Sequence, residues 1–180
     1  YGDHRDLHLS IRRQRQMCIR DRSIGVGDSF PSGTFLLKDH EGVKHISTEE
    51  YFKSKKVVLF ALPGAFTPTC SAKHLPSYIK NYEQILEKGV TVVACMAVND
   101  PHVMRAWGES NSVVGKIDML ADTDCSISEA LGLDMDFGKV MGRRSRRFSM
   151  VVENNIISKL FVEEVGAFEV SSAENMLKHL

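Results

Sequence analysis

Apolar and polar positions along this chain switch repeatedly between a period of two and a period near 3.6. The run Lys56-Val57-Val58-Leu59-Phe60-Ala61-Leu62 is apolar almost throughout, which predicts a strand covered on both faces, as in a parallel sheet. Leu75, Ile79, Tyr82, Ile85 and Leu86 then recur every three to four residues and predict a helix stopped by Gly89 and kinked at Pro76. A strand over 90–98, a helix over 101–108, a strand over 116–121 and a short helix over 126–131 continue the alternation. Residues 134–142 read as a loop. Two further apolar runs, 148–152 and 156–162, flank Glu153-Asn154-Asn155, whose asparagines suit a tight turn and predict a hairpin. Ser171-Ser172-Ala173-Glu174 has the form of a capping box opening a terminal helix that runs to Leu180. The order β-α-β-α-β-α-hairpin-α predicts an α/β domain with a mixed central sheet and helices on both faces.

Composition narrows the function classes. With 180 residues, 43% hydrophobic and 26% charged, the chain fits one domain with a sizeable core. Lys plus Arg and Asp plus Glu both number 23, so no nucleic acid or anionic membrane partner is expected. No apolar run approaches the roughly 18 residues of a spanning helix, which predicts a soluble protein. Cys18, Cys70, Cys95 and Cys125 form no C-x-x-C pair and no metal-ligand spacing. Reduced thiols, a cytoplasmic location, no metal and no cofactor follow as expectations. Residues 1–22 differ from the rest: Arg5, Arg12, Arg13, Arg15, Arg20 and Arg22 outweigh Asp3, Asp6 and Asp21, without helical period or apolar h-region. They read as a disordered leader, and 12–22 resembles translated adapter sequence rather than native protein. The domain proper is expected over 23–180, and Cys18 is given no role.

The chemistry should lie where the strand ending at Leu62 passes through Pro63-Gly64-Ala65-Phe66-Thr67-Pro68-Thr69 into Cys70. A cysteine on the first turn of a helix meets unpaired backbone N–H groups and the positive end of the dipole, and both favour thiolate over thiol. Pro63 and Pro68 stiffen the loop, Gly64 permits close backbone approach, and the Thr67 hydroxyl is placed to bond both sulfur and ligand. His74 is expected on the helix surface, because a thiolate already formed needs no base for its attack. Trp107 is expected in the core, at helical spacing from Val103 and Met104. At least two of Arg143, Arg144, Arg146 and Arg147 are expected to form a solvated basic face.

Pro63-x-x-x-Thr67-x-x-Cys70 resembles the peroxiredoxin active-site signature, and Pro-Gly-Ala-Phe-Thr-Pro-Thr-Cys-Ser is similar to the type II, or peroxiredoxin-5, subfamily. Lys73-His74-Leu75-Pro76, Val98-Asn99-Asp100, Ala106-Trp107-Gly108, Leu120-Ala121-Asp122 and Arg143 to Met150 extend the resemblance in order over about 24–180. It implies a thioredoxin-like fold and a thiol peroxidase acting on hydrogen peroxide and alkyl hydroperoxides. In that reading Cys70 is the peroxidatic nucleophile, Thr67 and Arg147 hold and polarise the peroxide, and Pro63 shields the sulfur. Thr69, Gly64 and Phe66 bind substrate. Glutathione with glutaredoxin, or thioredoxin, is the implied reductant, and the implied assembly is a homodimer. The region where some members carry a resolving cysteine reads Glu169-Val170-Ser171-Ser172 here. Cys95 lies in an apolar run that argues for an inert core thiol, while the resemblance keeps open a pairing with Cys70. Cys125 is expected in an accessible loop, without a role. The competing readings are a thiol–disulfide oxidoreductase, which needs a cysteine where Thr67 stands, and a non-catalytic thioredoxin-fold binding module, which would lack Thr67, Cys70 or Arg147.

Overall fold

In the computed structural model, which describes residues 24–180, a hairpin of β1 (Thr34–Lys38) and β2 (Val43–Ser47) leads into helix α1 (Thr48–Phe52). The leader over 1–22 and Cys18 lie outside the described residues. The predicted apolar run is β3 (Lys56–Leu62). A π-helical turn (Cys70–His74), α2 (Leu75–Lys80) and α3 (Tyr82–Glu87) follow, then β4 (Val92–Ala97), α4 (Pro101–Ser110), β5 (Ile117–Ala121) and α5 (Ser126–Ala130). The chain continues through β6 (Asp134–Asp136), α6 (Gly138–Met141) and β7 (Arg143–Ser145) into the hairpin β8 (Phe148–Glu153) and β9 (Ile156–Val162), and ends on α7 (Ala173–His179).

The main sheet has the order β2-β1-β5-β4-β3-β8-β9. β3, β4 and β5 run parallel at its centre, and β1 and β8 pair antiparallel on either side. The mixed sheet with helices on both faces is the architecture the element order predicted and the thioredoxin-like fold the resemblance implied. Period-two alternation divides its core. Val58, Phe60 and Leu62 cluster with Leu75, Tyr78, Met104 and Trp107 on one face, whereas Val57, Leu59 and Ala61 cluster with Phe30, Phe35, Phe52 and Phe148 on the other.

Several boundaries differ from expectation for local reasons. The helix after Cys70 is distorted just before Pro76, whose missing N–H and bulky ring favour the π turn there, and it breaks again at Asn81. Residues 134–142 are not a loop but the strand β6 and helix α6, with β6 pairing with β7 in a separate two-stranded sheet. The terminal helix is capped by Ser172, whose side chain accepts from Asn175 N–H, and not by the Ser171–Glu174 box. Glu174 instead accepts from the Asn81 side chain at 3.0 Å. The predicted Asn turn holds, with Asn154 at φ 48° and Asn155 at φ 69° as a type I′ hairpin requires.

Candidate active site

Leu62 pairs with Ala97 in parallel register, so the loops after β3 and β4 leave the sheet side by side at the carboxyl edge. There Asn99 Oδ1 accepts the Ala65 N–H at 2.9 Å and holds the loop that precedes Cys70. Thr67 donates its hydroxyl to the Gly64 carbonyl at 2.9 Å. This differs from the expected bond to sulfur: with its proton committed to Gly64, the Thr67 oxygen is left as an acceptor. Phe66 adopts φ 60° and is 57% exposed on the rim of the loop. A side chain at Gly64 would meet Thr67, Asn99 and Met141 only at ordinary contact distances of 3.4–3.6 Å, so close approach is not what requires glycine there.

A helical run opens at Pro68 and puts Cys70 in its first turn, fully buried. The first N–H groups of such a run have no intrahelical acceptor and point toward the loop. A cleft alongside is walled by Pro63, Thr69, Phe137, Arg147 and Glu163.

Strand register selects one arginine. Phe148 pairs with Ala61 and Ser149 with Phe60. Arg147 therefore stands opposite the end of β3, on the same face as Ser149, Val151 and the helix carrying Cys70, while Arg146 points to the other face. Arg147 Nη2 donates to Cys70 Sγ at 3.5 Å. The other three arginines are engaged elsewhere: Arg143 with Glu129 and Asp134, Arg144 with the carbonyls of Val98 and Met141, and Arg146 with the Glu163 carbonyl. The expected solvated face reduces to Arg143, because backbone carbonyls at the loop ends draw Arg144 and Arg146 inward.

His74 is not on the helix surface. It stands four residues after Cys70 on the same, inward face of the helical run, fully buried between Phe60, Tyr78 and Phe168, with ring centroids 5.1, 5.7 and 5.2 Å away. Burial and the neighbouring Arg147 charge push its pKa down to about 3. Trp107 is in the core as expected, and its indole N–H donates to Ser71 Oγ at 3.2 Å. Cys95 is fully buried at the centre of β4, and burial pushes its thiol well up. Cys125 is buried as well, against the expectation of an accessible loop, and burial pushes it up to about 12. Its N–H bonds to the Asp122 carbonyl and folds the loop under α5. Asn99 and Glu163 are the residues the sequence reading left without a role. Asn99 was legible only as part of Val98-Asn99-Asp100, and Glu163 carried no local signal.

The Redoxin family pattern matches residues 25–177. The chain is 43% identical over 165 residues to "Peroxiredoxin-2E-2, chloroplastic" of Oryza sativa subsp. japonica, spanning 88% of this chain and 73% of that protein. It is 41% identical over 159 residues to "Peroxiredoxin-2D" of Arabidopsis thaliana, spanning 87% and 98%. Reduced Prx3 of Vibrio vulnificus, solved in complex with H2O2, superposes with a TM-score of 0.85 at 46% identity, covering 87% of this chain and 98% of that one. The rice relative's chloroplast name corrects the expected cytoplasmic location: sparse, reduced cysteines mark any compartment that keeps thiols reduced and do not single out the cytoplasm. On a match of this extent the chain belongs to the redoxin family, within it to the type II peroxiredoxins, and is a thiol peroxidase of antioxidant defence.

Proposed function

We propose that Cys70 is the peroxidatic nucleophile and Arg147 its charge partner. The carrying observation is the 3.5 Å contact between Arg147 Nη2 and the fully buried Cys70 Sγ. A fixed positive charge there meets the negative charge that develops on the leaving oxygen. The sulfur lone pair forms an S–O bond to one peroxide oxygen while the O–O bond breaks. The other oxygen leaves with the bonding pair and takes up a proton, giving water or an alcohol, and Cys70 becomes a sulfenic acid. Thr67 accepts the peroxide O–H, the N–H groups of Thr69 and Cys70 hold the oxygens, and Pro63 covers the sulfur. Gly64 and Phe66 shape the mouth.

Measured as hydrogen peroxide consumption, Cys70→Ser abolishes turnover. Arg147→Gln slows attack by about two to three orders of magnitude, the usual size for one transition-state donor, and Arg143→Ala does far less. Equal losses at the two arginines overturn the assignment.

The reductant in this reading is glutathione with glutaredoxin, with thioredoxin as the second candidate. The protein works as a homodimer in this reading, with Phe66, Val140 and Val165, 57%, 93% and 70% exposed on segments beside the site, as its candidate apolar contacts. Sedimentation velocity gives a dimer, and Phe66→Asp shifts it to monomer; a monomeric parent protein removes that part of the reading.

A further inference from the structure

His74 is bonded at both ring nitrogens. Arg147 Nη1 lies 3.0 Å from Nδ1, and Nε2 lies 3.2 Å from the Ser171 carbonyl oxygen. A guanidinium can only donate and a carbonyl can only accept. Nδ1 must therefore carry a lone pair and Nε2 the proton. Of the three protonation states of the ring, one satisfies both contacts. The depressed pKa of the buried ring agrees with that neutral state.

The carbonyl that selects this tautomer is itself fixed. Ser171 O also accepts the Tyr78 hydroxyl at 2.9 Å. The Ser171 N–H and hydroxyl both donate to Glu163 Oε1 at 2.8 Å, and the Glu169 N–H donates to the same oxygen at 2.6 Å. One buried carboxylate thus pins the turn before α7 under the imidazole. Arg147 has a long side chain whose tip must stay at the sulfur, and the face of Phe168, 6.0 Å away, restrains it only weakly.

We propose that His74 is a positioning residue for peroxide reduction: the Ser171 carbonyl fixes its Nε2–H tautomer, and the lone pair left on Nδ1 holds the Arg147 guanidinium against the Cys70 sulfur. His74 touches neither peroxide nor sulfur, and acts through Arg147. The proposal rests on the reading of Arg147 as the charge partner of Cys70.

The side chains of Asn and Gln separate the two contacts, because an Asn amide reaches about as far as Nδ1 and a Gln amide about as far as Nε2. Rates of peroxide attack are read by stopped flow from Trp107, the one tryptophan, bonded to the residue after Cys70. His74→Gln keeps a group near Ser171 and loses the Arg147 acceptor, and slows attack by about tenfold or more, as expected for a lost bond to a charged group. His74→Asn restores most of that loss. In an Arg147→Gln background, His74→Gln changes the rate by less than about twofold, because a residue acting through Arg147 has nothing left to act on. If Arg147→Gln leaves attack unchanged, the charge-partner reading itself falls. If Arg147→Gln is slow but His74→Gln costs as much in its background as alone, or if Asn and Gln are equally slow, only the positioning role falls. Nitrogen-15 chemical shifts of the parent protein give a test that needs no variant to fold. They should report a neutral, Nε2-protonated His74 at pH 7, and an imidazolium or an Nδ1–H tautomer overturns the proposal.

Discussion

At the scale of single residues, the site is defined by which buried polar groups are neutral and which are charged. His74 is the clearest case, with a folded-state pKa of about 3 against an ordinary value of 6.5. Below about pH 6.5 the unfolded chain takes up a proton at this imidazole that the folded protein refuses, so acid favours unfolding until the folded value is also passed. The loss should approach about 1.4 kcal/mol per pH unit between roughly pH 5.5 and 4. Urea denaturation at a series of pH values checks this, and His74→Asn should flatten that part of the profile. An unchanged slope in the variant would assign the acid sensitivity to other groups.

At the scale of elements, two adjacent residues after β4 divide structural from positional work. Asp100 caps α4, accepting the N–H groups of His102 and Val103 at 2.9 and 3.0 Å, with Pro101 at the first turn. Removing such a cap costs about 1 kcal/mol. Asp100→Ala should therefore lower stability by about that amount in urea denaturation and leave the peroxide rate near that of the parent. Asn99→Ala takes the acceptor from Ala65 N–H and frees the loop that carries Thr67. It should slow peroxide attack by about tenfold, a range set by one lost hydrogen bond, with a smaller effect on stability than on rate. The reverse pattern would mean that the loop is held by its own prolines alone.

At the scale of the whole molecule, complete burial of Cys70 sets a condition on turnover. The cleft walled by Pro63, Thr69 and Arg147 runs beside the sulfur without exposing it, and a thiol the size of glutathione needs a sulfenic acid there brought outward. The π turn carrying Cys70 is the element placed to open, since a π turn breaks the regular helical ladder and here meets Pro76 at its end. Mass spectrometry after one equivalent of peroxide with glutathione should find the adduct on Cys70. Cys95→Ala should retain turnover, because Cys95 sits sealed in the central parallel strands with a thiol pushed well up by burial. A stoichiometric Cys70–Cys95 disulfide, with turnover lost in Cys95→Ala, would replace external resolution by an internal one.

The sequence by itself determined the elements whose signals are local. β3 is dictated by an apolar run at 56–62, the β8–β9 turn by two asparagines that tolerate positive φ, and the position of Cys70 by a strand, a proline-stiffened loop and a helix start in succession. It did not yield β1, β2 or β6, whose short strands are decided by the neighbours they pair with rather than by their own residues. Only the tertiary structure decided which arginine meets the sulfur, because that choice is made by antiparallel register between β8 and β3 across the parity of a pleat. It likewise reversed His74 from a surface residue to a buried one: the partners that fix the ring, Ser171 and Arg147, arrive from positions 97 and 73 residues away in the chain, where no local spacing can report them.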